Sequence, residues 1–252
     1  MDSEDEIIVL ASTIILFASI VAALTFFYIG FSTGFSTVFI YELNSNENTI
    51  NADEESWIGS SGIIFSFFGC FIQGYLANKF GRKVLFYLIY GVHFVGWMIV
   101  SQTKYIIEAR LLISIVIGVS FSNSIYITEI IRSERRGNLA LLHSLFLGLG
   151  ALFLYISSYY ITVEVVSFGA SIFALIIFIN VIFIPETPYW YLLKKQRENA
   201  IKSLIWLRGA QPHKIEIEVK EMEKNVDDGF MEKERFVCIQ NRVRDIKDSF
   251  DI

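Results

Sequence analysis

Glu129, Arg132, Arg135 and Arg136 fall within YITEIIRSERRG at 126–137, directly after one long apolar run and just before the next. A carboxylate and three guanidinium groups at such a place can serve two purposes. Basic residues in short loops hold the end of a span on one face of a membrane. Opposite charges can also pair into a network that biases a two-state equilibrium, although a single exposed pair contributes only about 0–1 kcal/mol. Glu129 and Arg136 are seven positions apart, two turns of helix, so they share a face if the helix persists, with Arg132 on the same stripe. Other reactive groups are sparse. Arg110 lies inside an apolar run, EARLLISIVIG, where it either snorkels to the interface or faces a cavity or a partner. Cys70 sits in an apolar run and Cys238 in a charged tail, environments that do not share a disulfide, so both are read as free thiols. No metal site and no cofactor is expected. The absence of a Walker-type phosphate loop argues against ATP-driven chemistry.

The elements that position these residues are apolar. The 252-residue chain is 54% hydrophobic and 15% aromatic, with a net charge of −5 that gives no case for nucleic acid. Of its 21 Lys and Arg residues only eight precede position 193. Residues 1–192 are therefore read as a membrane region and 193–252 as a water-facing, charged helical tail. The apolar runs fall at roughly 10–40, 57–77, 84–102, 107–128, 138–160 and 165–184. Each has about the 20 residues a helix needs to cross a ~30 Å hydrocarbon layer. Helices are required because lipid cannot satisfy open backbone groups. The expected fold is an all-α membrane protein of six transmembrane helices with short cytoplasmic helices after them. Lys79, Arg82, Lys83, Arg132, Arg135 and Arg136 fall in loops on one side, whereas loop 42–56 has no Lys or Arg and the 102–106 loop has only Lys104. That bias puts both termini in the cytoplasm. In the tail, Ile215, Val219, Met222 and Val226 form a narrow apolar stripe on a helix. Gly62, Gly69, Gly74, Gly91, Gly96 and Gly150 are read as packing positions, since small residues let spans approach closely. Phe26, Phe27 and Trp97 are read as lipid-facing or interfacial.

Several short motifs occur in order around these spans: SWIGS at 56–60, GYLANKFGRK at 74–83, Y-x-x-E followed by R-G (Tyr126, Glu129, Arg136, Gly137), PETP at 185–188, and A-x-x-x-L-x-x-L-R-G from Ala200 to Gly209. Each is weak alone. Their joint order resembles the sugar porter family of the major facilitator superfamily, from the first span to Gly209. Within it they look most like the facilitated trehalose transporters of insects. The resemblance implies the N-terminal half of a major facilitator fold, a transporter rather than an enzyme, and a sugar carried by alternating access. It assigns Asn78, Gly81, Arg82, Glu129, Arg136 and Glu186 to a gating ion-pair network on the inner face. The open alternative is that these residues only set topology and end helices. The resemblance also places Gly30, Ser32, Gly34, Arg110, Ser144 and Gly148 along the substrate path.

Departures from the family pattern matter as well. Asn78 stands where an acidic residue is usual, Tyr189 follows PETP where an arginine is usual, and Ser144, next to His143, replaces a sugar-binding glutamine of glucose facilitators. Ala109 and Ser114 replace glycines flanking Arg110. Ser32 occupies the place of the aspartate of proton-coupled members, and serine carries no proton at physiological pH. Facilitated diffusion of a hexose or a trehalose-like disaccharide is therefore expected, at the plasma membrane. Because facilitators of this type bind substrate between two six-span halves, the chain is expected to be an incomplete, half-length chain, with a second half or a homo-oligomer as partner beside the lipid bilayer. Two alternatives stay open: a non-transporting membrane interaction protein, and an organic ion transporter of the same superfamily.

Overall fold

The computed structural model describes residues 3–45, 51–102, 105–130, 136–208 and 215–228. All regular structure among them is helical: α1 (Ser3–Ser45), α2 (Ala52–Phe80), α3 (Arg82–Val100), α4 (Ile106–Ser120), α5 (Ser122–Ile130), α6 (Arg136–Tyr160), α7 (Val163–Asn180) continued by a 3-10 turn (Val181–Phe183), α8 (Pro188–Leu193), α9 (Arg197–Arg208) and α10 (215–228). Among the described residues, six stretches are long and apolar enough to cross a membrane: Leu16–Tyr41, Glu55–Phe80, Arg82–Val100, Ile107–Ile130, Leu141–Tyr160 and Val163–Phe183. The fourth is two helices rather than one. Ser120 turns its hydroxyl back onto the Val116 carbonyl, and the Ser124 N–H bonds Phe121 O three residues back, so the helix is interrupted at Phe121.

The chain forms two compact units. Ser12–Thr187 is the first. Its surface would be untenable in water: Ile63, Phe67 and Phe71 on α2, Leu152 and Ile156 on α6, and Ile172, Ile176 and Ile179 on α7 are all exposed. Its interior is held by close backbone approach. A Cβ on Gly30 would run into the Leu147 carbonyl, and one on Gly150 into that of Phe27, so α1 and α6 cross at nearly bare backbone. Gly69 and Gly118 make the same kind of crossing between α2 and α4, where the Cys70 thiol points at the Gly118 carbonyl 3.7 Å away. Gly74 and Gly148, by contrast, have open space around them.

α1 is central. Its aromatic side chains lie between helices and do not face lipid as expected. Phe26 is buried and stacks on His143 of α6 at 4.2 Å, and Phe31 and Phe35 both meet the buried Trp97 of α3 edge-on at 5.0 Å. Phe27, half-buried, touches Phe153 and Phe173. The expectation failed because a hydropathy run does not say which face of an aromatic-rich helix is turned inward.

The second unit joins Met1–Ala11 with Pro188–Ile252. Ala200, Leu204 and Leu207 recur at spacings of four and three and are fully buried. The stripe of Ile215, Val219 and Val226 on α10 packs into a cluster with Leu192, Ala200 and Leu204, with Met222 at its edge. Arg208 seals the corner with a fork to Glu218, its Nε at 3.1 Å and Nη2 at 2.9 Å. Gly209 and Cys238 lie outside the described residues.

Gly118→Ala should destabilise the chain by about 1–3 kcal/mol, because the added methyl meets the Ser66 carbonyl and the α2–α4 crossing must open. Gly59→Ala on α2, where nothing lies within 4 Å, should be neutral or slightly stabilising. Thermal unfolding in detergent compares the two directly; equal losses would mean the crossings are not close-packed.

Candidate functional site

Gly81 joins α2 to α3 with a φ of 98°, a backbone state that a residue with a side chain adopts at a cost. The turn is tight enough for Gly81 N–H to bond Ala77 O at 3.2 Å. It leaves α3 without a capping side chain of its own. The first N–H groups of a helix have no intrahelical acceptor, and the helix dipole makes that end positive. Glu186 supplies the cap from 104 residues away. Its Oε1 accepts the Arg82 N–H at 2.9 Å and its Oε2 accepts the Lys83 N–H at 3.0 Å. The Thr187 N–H adds a third bond to Oε1 at 3.0 Å. Burial pushes the Glu186 carboxyl above the usual carboxylate range, and the N–H groups of Thr187, Lys83 and Arg82 pull the other way by stabilising the charge.

Arg82 extends the clamp in two further directions. Its Nη2 pairs with Glu129 Oε1 at 2.8 Å, and its Nη1 donates to the Ala77 carbonyl at 3.0 Å, which thus accepts a second bond beside that of the Gly81 N–H. Both side chains of the pair are nearly buried, at 5% and 11% exposed. Nearby, Tyr126 Oη donates to Pro185 O at 3.0 Å and Lys83 Nζ donates to Ile182 O at 3.0 Å. One cluster thus ties together the end of α2, the start of α3, the last turns of α5 and the segment after α7. A guanidinium suits the centre because its rigid fork serves a carbonyl and a carboxylate together.

The expected gating residues therefore divide. Gly81, Arg82, Glu129 and Glu186 come together. Asn78 stands exposed on the last turn of α2, and none of the clamp bonds above is to it. Glu129 and Arg136 fall in the separate helices α5 and α6, and among the described residues Glu129 pairs with Arg82, 47 residues earlier. Arg132, Arg135 and the side chain of Arg136 lie outside the described residues.

The residues expected along a substrate path do not converge in one place. Gly30 lies on the α1–α6 crossing, and Gly34 faces Leu154 and Tyr155 of α6. Ser32 is buried on α1. Ser144 and Gly148, one turn apart, stand on the uncovered face of α6. Arg110 does not snorkel: it is 8% exposed, donates from Nη2 to Ser36 Oγ of α1, and lies 5.8 Å from the Phe35 ring. Sequence reasoning missed a buried polar chain through α1, α3 and α5. Asn123 Nδ2 donates to Thr25 Oγ1 at 2.7 Å, Thr25 Oγ1 and Tyr90 Oη are 2.5 Å apart, and Tyr90 Oη donates to Val21 O at 3.2 Å. Polar side chains at i positions within apolar runs were the available signal.

Residues 18–245 match the family described as sugar (and other) transporter. The chain is 29% identical over 198 residues to the facilitated trehalose transporter Tret1 of Bombyx mori, covering 77% of this chain and 39% of that protein. Against the Tret1 of Polypedilum vanderplanki it is 26% identical over 215 residues, covering 82% and 42%. The chain thus spans about two-fifths of the length of these relatives. Its fold is similar to that of the major facilitator proton:xylose symporter XylE bound to 6-bromo-6-deoxy-D-glucose, with a TM-score of 0.80 at 19% identity over 91% of this chain and 56% of that one. The inward-open xylose transporter XylE from E. coli gives 0.73, also at 19% identity, over 85% and 56%.

Arg82→Met, which leaves Glu129 buried without a cation, should cost about 3–5 kcal/mol of stability. Adding Glu129→Leu should recover much of that loss, since both charges are then gone from the interior. A double-mutant cycle in detergent unfolding measures the coupling; additive losses would mean that the two side chains act independently.

Proposed function

Because this chain belongs to the sugar (and other) transporter family, we propose that it forms six spans of a facilitator that moves a sugar down its gradient by alternating access. The substrate is a hexose or a disaccharide such as trehalose, the latter in line with what the trehalose transporters it resembles carry. The observation that carries the reading is the Arg82–Glu129–Glu186 clamp. A buried ion pair and a helix cap supplied in trans hold together ends of helices that are distant in sequence. Removing one partner of such a pair is expensive, so the contact is either made or broken and suits a two-state gate.

The clamp end faces the cytoplasm, as do both termini, because Lys79, Arg82 and Lys83 lie there and loop 42–56 at the other end has no basic residue. The protein resides in the plasma membrane. Transport is by facilitated diffusion: Ser32 cannot hold a proton, and Arg110 meets the hydroxyl of Ser36. Alternating access requires a second body to rock against. The exposed apolar faces of α2 and α6 support a second six-span half or a second copy of this chain as that body. Ser144 and Gly148 then lie where substrate passes.

With a second copy as the opposing body, proteoliposomes carrying residues 1–252 should show saturable uptake of trehalose or glucose that a proton gradient leaves unchanged. A folded, inserted protein with no uptake would exclude a second copy as the opposing body, and absence of uptake also when a second six-span half is supplied would favour a non-transporting membrane interaction protein instead. The gate has its own test. Glu129→Gln or Arg136→Ala should shift the protein towards inward-open states, raising several-fold the reactivity of a cysteine placed at the buried Ala77 towards a water-soluble maleimide. Unchanged reactivity in both would leave these residues as topology signals only.

A further inference from the structure

At the end of the bundle opposite the clamp, the end of α1, the last turns of α6 and the start of α7 enclose a cavity of about 560 Å³. That falls within the roughly 300–1,000 Å³ of small-molecule sites. Its walls carry Thr37 and Tyr41 from α1, Tyr155, Tyr159 and Tyr160 from α6, and Thr162 before α7, with no charged side chain among them. Tyr41, Tyr159 and Tyr160 are 76%, 82% and 78% exposed. Tyr159 and Tyr160 meet edge to face at 4.9 Å, which leaves ring surface open. Thr162 occupies the N-cap position of α7 and makes no side-chain cap bond. Among the described residues, no hydrogen bond engages any of these six hydroxyls.

These walls select a chemistry. An acyl chain filling the cavity would leave six hydroxyls without partners, at a cost in each case. A charged headgroup would find no opposite charge. A neutral polyol satisfies both conditions: its hydroxyls give and take hydrogen bonds with tyrosine and threonine, and its apolar C–H face packs on a tyrosine ring. An interfacial aromatic belt also uses exposed tyrosines, but a belt does not gather them with Thr37 and Thr162 around one cavity between helices. We propose that this cavity is a peripheral sugar subsite, holding one neutral sugar unit at the mouth of the transporter, apart from any site between two halves. The identity of the ligand rests on the sugar reading above.

The test uses the whole chain in phosphatidylcholine nanodiscs free of glycolipid, with a diazirine-bearing trehalose as photoprobe and mass spectrometry of the labelled peptides. Labelling should fall on residues 37–41 and 155–162 and be competed by free trehalose. It should drop at least tenfold in the double variant Tyr155→Phe with Thr162→Val, which keeps the ring and the helix. Circular dichroism and melting of the variant check that it is folded. Competed labelling confined to other segments, labelling unchanged by the double variant, or no competed labelling at all would each overturn the subsite. A chain that takes up sugar in liposomes yet shows one of these results loses the subsite and keeps its proposed function.

Discussion

A carboxylate that caps a helix from 104 residues away is the contact on which the rest of this structure depends. Gly81 buys the tight turn between α2 and α3 and gives up the capping side chain that another residue would have supplied. In a surrounding that offers little water, the exposed N–H groups of Arg82 and Lys83 must be met by protein. Glu186 meets both, and its own charge is placed against the positive end of α3. Arg82, held by the same turn, then has its side chain free to join the end of α2 to α5. The ion pair and the cap are therefore one device: each positions the other, and neither is explained by its local sequence.

The remainder of the bundle is built on the opposite strategy. Away from that cluster two crossings are made at nearly bare backbone, with Gly30 and Gly150 bringing α1 to α6 and Gly69 and Gly118 bringing α2 to α4, while aromatic side chains fill the space between α1 and α3. Lipid gives apolar side chains no reason to leave it, so helices associate through backbone proximity and buried polar contacts. The Asn123–Thr25–Tyr90 chain is the polar counterpart of those glycine crossings, joining three helices by hydrogen bonds that hydrocarbon cannot supply. The bundle therefore combines close backbone crossings with a buried ion pair and helix cap at one end.

Much of this was legible in the amino-acid order. Six apolar runs of span length can only be helices in lipid, and the apolar stripe of Ile215, Val219 and Val226 announced a docked helix after α9. Gly81, Arg82, Glu129 and Glu186 could be named from motif order. Their pairing could not: the sequence spacing put Glu129 and Arg136 on one face without pointing to Arg82, whose bond to Glu129 the structure shows, while the Arg136 side chain lies outside the described residues. The inward turn of Phe26 and Trp97 was equally hidden, because a helix that is apolar all round carries no periodicity to mark its buried face.

The sequence by itself determined what depends on local composition and length: helical spans, their number, the basic bias of one set of loops, and the placement of a turn at Gly81. Only the tertiary structure decided which polar groups meet. A hydrogen bond or an ion pair requires atoms within about 3 Å. Residues separated by 47 or 104 positions reach that distance only after the helices that carry them have packed.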